Sequence, residues 1–422
     1  MQQLNHMIRI KILLFVVTIL ILATSIFSSV FFENHYLISK WNIPVCPPSF
    51  LDSRQLAWAS ESSAMGYDPL VINPANPTGQ QLNYPRIWQL LFALGINESH
   101  TNIIGTIVVI LFFIGITTFW FSRKFDNLTY FILTIVFLSP AVMLGIERSN
   151  IELVLFFLLS LALLVNYYSS ISALFIFILA FILKLYPVFG LVYLLKENKK
   201  RFWTLFLSAS GIFILYGILS FEDFMHIYHT TPKSVGSSFG INVWWMGLRH
   251  SRFFNLPISD GLALFLKVLS YTIAFLILAA ALFFSMRRKD NRLFSEAKYI
   301  DAFRVGAGIY IGCFLTMNTH DYRLIFLFFT IPQLVAWMRD KGKGISFVPL
   351  ITLSAMVFSL WSFFVMRFLR LKLTFLMEEF SNWIMLAGLL YLFVSSLPNW
   401  FRDYLRWPFL NTKLSNSQTK SG

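Results

Sequence analysis

Charge is scarce in this chain: Asp, Glu, Lys and Arg make up 13% of its 422 residues, about half the share of an ordinary soluble domain. Cysteine is scarcer still, with Cys46 and Cys313 the two present, so no disulfide framework or zinc-knuckle spacing exists. Glycine and proline number 20 and 15, which excludes collagen-like and low-complexity chains. No 20–50-residue repeat, P-loop, Gly-x-Ser-x-Gly or His-Glu-x-x-His pattern occurs. Apolar residues take up the space: 57% of the chain is hydrophobic, Phe alone occurs 47 times, and mean hydropathy is +0.67. A soluble core of this size cannot hide 47 Phe, so the composition predicts an all-α polytopic membrane protein.

Crossing a bilayer takes about 20 apolar residues in a helix. Runs at 10–32, 101–121, 128–146, 151–168, 171–195, 202–220, 261–286, 302–317, 322–338, 345–366 and 380–397 predict a bundle of about 10–12 transmembrane helices. They form one domain over residues 1–400, with a cytoplasmic tail at 401–422. The first run exceeds the 7–15 apolar residues of a signal h-region, which favours an uncleaved anchor. Lys and Arg mark cytoplasmic loops. With the N-terminus inside, Ser122-Arg123-Lys124 and Asn166-Tyr167-Tyr168 fall inside. A single crossing at 171–195 would then put the basic cluster Lys196–Arg201 outside. Two half-helices broken at Lys184-Leu185-Tyr186-Pro187 resolve this, because proline removes a backbone donor and clashes with the preceding turn. Arg287-Arg288-Lys289, Arg339-Asp340-Lys341 and the tail residues Arg402, Arg406, Lys413 and Lys420 then all lie inside. The net charge of +14 therefore reports topology, with anionic inner-leaflet lipid as its partner. The basic residues are scattered over short loops and form no stripe, so nucleic acid is excluded as a partner.

Two long loops, 33–100 and 221–260, fall on the outer side, as do the polar groups at helix ends. In the first loop, Asp52 followed by Gln55 is a capping-box pattern, with Gly66 as a helix stop. Leu56, Ala59 and Ser63 share one face of that helix, which predicts an element lying along the membrane surface. Asp52 also reads as a carboxylate placed to accept a proton from a substrate hydroxyl. Being beside water, it is expected to titrate near the ordinary value. Glu61 and Asp68 are the fallback carboxylates. Asn83-Tyr84-Pro85-Arg86-Ile87-Trp88 leads into a short apolar helix at roughly 86–95, an interfacial element whose Tyr84 and Trp88 read as interfacial anchors.

Glu147-Arg148-Ser149-Asn150-Ile151-Glu152 is an outer turn whose arginine suits a phosphate, since guanidinium binds phosphate oxygens through a bidentate fork. Lys184 sits deep in an apolar run, where a lysine costs about 2.5–3.5 kcal/mol to insert, and so needs a cavity or a partner. His320-Asp321-Tyr322-Arg323 concentrates His, Asp and Arg at a second outer turn. His226-x-x-His229 sets two imidazoles on one helical face but has no third metal ligand in view.

These stretches together resemble the GT-C superfamily of integral-membrane glycosyltransferases, most nearly glycosyltransferase family 87, over residues 8 to 397. The marks are Asp52, Gly66-Tyr67-Asp68-Pro69, Asn83-Tyr84-Pro85, Glu147-Arg148-Ser149-Asn150, Lys184-Leu185-Tyr186-Pro187 and His320-Asp321-Tyr322-Arg323. Ser149 departs from the glycine or glutamine often found beside the Asn150 position, so the donor sugar stays open. The resemblance implies a polyprenyl-phosphate-linked donor, often of mannose, used on the outer side of a bacterial inner membrane with a lipid or glycan acceptor and no metal or cofactor. It makes Asp52 the general base, and Lys184 and Arg148 the holders of the donor phosphate. His320 and Arg323 would bind phosphate or sugar, and Glu147, Asn150, Asp321, Tyr67 and Tyr84 would line the substrate site. A polysaccharide polymerase or ligase is the competing enzyme reading. A lipid-linked-saccharide transporter is the competing non-enzyme reading, because a broken helix with an intramembrane lysine suits it too.

Overall fold

The computed structural model describes residues 2–31, 35–45, 47–231, 235–287, 297–339 and 347–405. Cys46, Arg288, Lys289, Asp340, Lys341, Arg406, Lys413 and Lys420 lie outside the described residues. The described chain is helical almost throughout, and its one strand pairing sets Ser238–Phe239 antiparallel to Thr319–His320. The all-α polytopic class predicted from composition is the class observed.

The number of continuous spans is lower than the apolar runs suggest. Among the described residues, four helices are long and apolar enough to cross a bilayer: Lys11–Ser28, Glu98–Ser122, Lys199–Leu219 and Asp260–Met286. Up to six spans result if the bent pairs Asn127–Phe137 with Pro140–Arg148 (50°) and Leu371–Ser395 with Asn399–Leu405 (106°) each count once. The remaining runs are single helices that are too short, such as Ile300–Thr316 and Glu152–Val165, or are divided into pieces. Pro140 opens a new helix after Ser139, and the 322–338 run is a 3₁₀ helix, Asp321–Thr330, followed by Ile331–Arg339.

Position in the bundle follows from what each helix exposes. On Lys199–Leu219 and Asp260–Met286, Leu207, Ile214, Ile218, Leu264, Phe265 and Phe275 are all exposed, as helices facing lipid tails require. Pro140–Arg148, Ile300–Thr316 and Asp321–Thr330 are buried nearly all round and form the centre. Phenylalanine fills that centre. Phe156 stacks on Phe329 with ring centroids 5.0 Å apart, Phe137 meets Phe328 at 3.8 Å, and Phe112 meets Phe156 edge-on at 5.3 Å.

The lysine-containing run folds back on itself. Helix Ser170–Leu183 ends at Lys184, whose backbone is extended (φ −163°, ψ 134°), and the 3₁₀ helix Tyr186–Lys196 returns beside it. Tyr193 stacks on Phe177 at 4.6 Å and donates its hydroxyl to the Ser170 carbonyl at 2.9 Å. The Ser170 hydroxyl bonds Glu197, and Lys196 donates to the Asn166 carbonyl. Both ends of the segment therefore meet. Fourteen helical residues rise about 21 Å, short of a hydrocarbon core of about 30 Å.

The helix of the first long loop, Leu51–Ala64, is buried from Ser53 through Ser60. It is thus an internal element and does not lie along a surface as expected. Tyr84 and Trp88 are buried as well, at 6% and 9% exposure. They pack against the core, while Leu90 and Leu94 are the large apolar residues of the 3₁₀ helix Arg86–Leu94 left exposed. Arg86 ties the two long loops together, donating to Asp68 at 3.0 Å and to both carboxylate oxygens of Asp223 at 2.9 and 2.7 Å.

The fold-back is pressed against Ile300–Thr316 at Gly308. A Cβ there would stand 2.6 Å from the Phe189 carbonyl oxygen. Gly308→Ala should therefore destabilise the protein by on the order of 1–3 kcal/mol through overpacking, seen as a lower Tm of the detergent-purified protein. Gly211→Ala, where a Cβ meets nothing within 4 Å, should leave Tm unchanged or slightly raised.

Candidate active site

The break at Lys184 frees backbone carbonyls that cannot stay bare at membrane depth. Side chains take them up: the Trp88 indole donates to the Leu183 carbonyl at 3.0 Å, and the Tyr216 hydroxyl to that of Ile182 at 3.3 Å. The extended residue between the two helices thus points its side chain inward. The Lys184 ammonium meets Glu152 Oε1 at 2.9 Å and lies 5.4 Å from the centre of the Tyr84 ring. Arg323 Nε meets the same Glu152 oxygen at 2.9 Å, and the Tyr186 hydroxyl donates to the other oxygen. The Arg323 guanidinium also lies 4.3 Å over the Tyr186 ring, and its Nη1 reaches the Thr319 hydroxyl at 3.2 Å. Glu152 itself is fully buried.

Asn150 connects this group to the first long loop. Its Oδ1 accepts the Glu152 N–H at 2.9 Å, while its Nδ2 donates to Asp52 Oδ2. Ser149 between them has a left-handed backbone, φ 50°. Its hydroxyl accepts from the Ser53 hydroxyl at 2.8 Å and donates to the Gly105 carbonyl at 3.2 Å. A serine rather than glycine at this strained position is thus held by hydrogen bonds to two neighbouring helices. The Phe50 N–H donates to the Glu147 carbonyl at 2.9 Å, seating the start of helix Leu51–Ala64 on the same turn.

Asp52 does not cap its helix. The N-cap is Phe50, itself left-handed at φ 67°, and Asp52 lies in the first helical turn. Its carboxylate turns to Asn150 and into the field of Arg148. Its protonation also differs from expectation: burial pushes the Asp52 pKa above the ordinary carboxylate range, and Arg148, the Asn150 hydrogen bond and Lys184 only partly oppose it. A carboxylate so placed is a stronger base than one in water.

Other predicted residues fall in different places. The His320 ring stacks on Tyr322 with centroids 5.3 Å apart. Burial, then Arg148 and Arg323, push its pKa down to about 4, so it is neutral at pH 7 and offers hydrogen bonds but no charge. Asp321 is separate from the lysine cluster. It is fully buried beside Glu378 and Glu379 of helix Leu371–Ser395. Tyr67 is exposed, off the C-terminal end of helix Leu51–Ala64, so the whole helix, about 20 Å long at 1.5 Å per residue, separates it from Asp52. Glu147 is buried at the end of Pro140–Arg148. Of the fallback carboxylates, Glu61 accepts the Glu98 N–H at 2.7 Å and Asp68 pairs with Arg86. His226 and His229 lie on helix Phe221–Thr230, and no group of three metal-ligating side chains occurs among the described residues. Glu152, Tyr186 and Tyr322 were not singled out from sequence as site residues. The acid five positions after Glu147 and the tyrosine inside the break motif were the signals available.

The 3₁₀ helix that carries Trp88 also walls a groove of about 740 Å³, lined by Arg86, Leu90, Tyr216, Leu219, Glu222 and Asp223.

A helical membrane bundle gathers Lys184, Arg323 and Arg148 around two carboxylates in its interior, a cationic cluster suited to an anionic group. The family model described as glycosyltransferase family 87 matches residues 87–301, half of the chain, and the chain belongs to that family. It is a membrane glycosyltransferase. The matched stretch contains Arg148, Asn150, Glu152 and Lys184, whereas Asp52, His320 and Arg323 lie outside it. No match was found among curated proteins or among solved structures.

The geometry makes a pH prediction. If Asp52 must be ionised to act, kcat/KM falls as pH drops through its raised pKa. Removing the Arg148 charge takes away what holds that pKa down, so Arg148→Met should move the acidic limb of the kcat/KM profile to higher pH. A full pH–rate profile of both proteins checks this, and the limb should persist in His320→Gln.

Proposed function

We propose that this protein moves a hexose, of mannose type, from a polyprenyl-phosphate donor to a hydroxyl of a lipid or glycan acceptor on the extracytoplasmic face of a bacterial inner membrane. The observation that carries this reading is the convergence of Asp52 on the Lys184–Arg323–Arg148 cations through Asn150 and Glu152. Three cations and two carboxylates leave an excess of one positive charge, which matches the single negative charge of a phosphodiester donor. On transfer, the acceptor oxygen bonds to the sugar anomeric carbon, the bond from that carbon to the phosphate oxygen breaks, and the electron pair leaves on the phosphate. The leaving phosphate gains negative charge in this step, and preplaced cations stabilise it most at that point. The acceptor proton passes to Asp52. Because fixed cations supply the charge neutralisation, the reaction is proposed to run without a metal ion or other cofactor. Leu90, Ile218 and Leu219 give the groove beside Arg86 an apolar wall suited to a hydrocarbon chain.

The outer-face placement rests on charge. We take the fold-back to return the chain to the side it left, a reading supported by the charge rule, under which Lys196–Arg201 belongs with the other basic loops inside. A single cysteine at Lys199 should react with reagent from the cytoplasmic side only; labelling from outside alone would reverse the placement of Lys184.

Asp52→Asn keeps the size of the side chain and removes the proton-accepting charge. It should lower turnover of labelled polyprenyl-phosphate mannose by about 10²–10⁴-fold with the fold intact, and full activity would remove Asp52 as the base. Lys184→Met should lower kcat/KM for the donor by roughly ten- to a hundredfold, as expected for one charged hydrogen bond to phosphate.

A further inference from the structure

Glu152 stands apart from the residues that the transfer chemistry calls for. It is an acid at the centre of a site for an anion, where a negative charge would weaken binding if it faced the substrate. Its two oxygens are instead occupied from within the protein. Oε1 holds both Lys184 Nζ and Arg323 Nε at 2.9 Å, and Oε2 holds the Tyr186 hydroxyl. Lys184 comes from the break between two helical segments and Arg323 from a 3₁₀ helix far along the chain, so neither element alone determines where its cation sits. Unrestrained, two like charges at this spacing repel. A long lysine or arginine side chain also has many rotamers open to it unless something holds it.

We infer that Glu152 is a positioning residue: it holds the Lys184 ammonium and the Arg323 guanidinium side by side so that their remaining N–H donors converge on one phosphoryl group. The inference rests on the proposed role of those cations at the donor phosphate. Sharing a single carboxylate oxygen fixes the two nitrogens as near neighbours, and Tyr186 fixes the carboxylate in turn. Arg323 has Nε on Glu152 and Nη1 on Thr319 and the Met317 sulfur, and its side chain keeps a tenth of its surface open. Lys184 spends one of its three protons on Glu152. Asn150, bonded to both the Glu152 backbone and Asp52, transmits the same placement to the base. Glu152 therefore sets the distance between the leaving phosphate and the attacking hydroxyl without touching either.

The test is a kinetic cycle on the full chain with labelled polyprenyl-phosphate mannose as donor. Glu152→Gln keeps volume and hydrogen-bonding ability but not charge. It should raise donor KM and lower kcat by roughly ten- to a hundredfold together, while acceptor KM stays put. The Glu152→Gln and Lys184→Met losses should not multiply in the double variant, since the second change removes an already misplaced group. Tyr186→Phe, which leaves the ring under Arg323 and is the gentler change, should raise donor KM several-fold with Tm nearly unchanged. Multiplicative losses, equal effects on donor and acceptor KM, or a fall in Tm with unchanged kcat/KM would make Glu152 a fold-stabilising ion pair and overturn the inference. Should Glu152→Gln not fold, an unaltered donor KM in Tyr186→Phe would do the same. A cost in Lys184→Met without one in Glu152→Gln refutes the positioning role alone. Unchanged kinetics in Lys184→Met refutes the donor-phosphate reading beneath it.

Discussion

A carboxylate removed from water must be matched by positive charge, and Glu152 is matched twice, by Lys184 and by Arg323. Losing both partners would leave its buried charge without compensation, a cost of several kcal/mol, whereas losing one leaves the other on the same oxygen. This requirement organises its surroundings. It draws the end of helix Ser170–Leu183 and the start of 3₁₀ helix Asp321–Thr330 to the first turn of Glu152–Val165. Through Asn150 it draws in the start of helix Leu51–Ala64 as well. Four separate stretches of chain therefore meet at one point, and each meets it at a helix end. Helix ends are where side chains can leave the lipid-facing or core-facing stripe and converge.

The rest of the bundle makes such a polar centre tolerable. Phe112, Phe137, Phe156, Phe328 and Phe329 pack as one aromatic body, so the elements carrying Glu152 and Arg323 are held by large, stiff side chains. The outer helices bury little and give their apolar faces to lipid. Carbonyls freed at the Lys184 break are covered by Trp88 and Tyr216. A broken helix at membrane depth is stable only with such substitutes, so these two aromatic residues belong to the site as much as the lysine does.

Membership in glycosyltransferase family 87 rests on residues 87–301, yet the assembled site draws on both sides of that stretch. Asp52 precedes it and Arg323 follows it. The family segment supplies the turn, the counter-charge and the lysine, and the flanking segments supply the proposed base and the second cation. The membrane glycosyltransferase identity removes the transporter reading, in which a broken helix serves alternating access.

Much of this was legible from residue order. Apolar runs and scarce charge dictate a helical membrane bundle, Pro187 after Lys184 dictates a break, and the basic cluster at Lys196–Arg201 requires the chain to turn back. Arg148, Asn150, Lys184 and Arg323 stand out because polar groups flanked by apolar runs need partners. What the order of residues does not contain is who those partners are. Glu152 reads locally as an acid suited to a helix N-terminus; its bond to Arg323 spans 171 positions. Asp321 and Arg323 look like one cluster in the sequence. In a 3₁₀ helix of three residues per turn, however, positions two apart face different directions, so one meets Glu378 and the other Glu152. Asp52 reads as a helix cap because the capping pattern is local, whereas its true partners come from a turn 98 positions on. Composition and periodicity mark the apolar segments and the proline break at Lys184, though not how many of those segments continue as one long helix. The pairing of charges is decided only by tertiary packing, because it depends on which helix ends are brought within about 3 Å of one another.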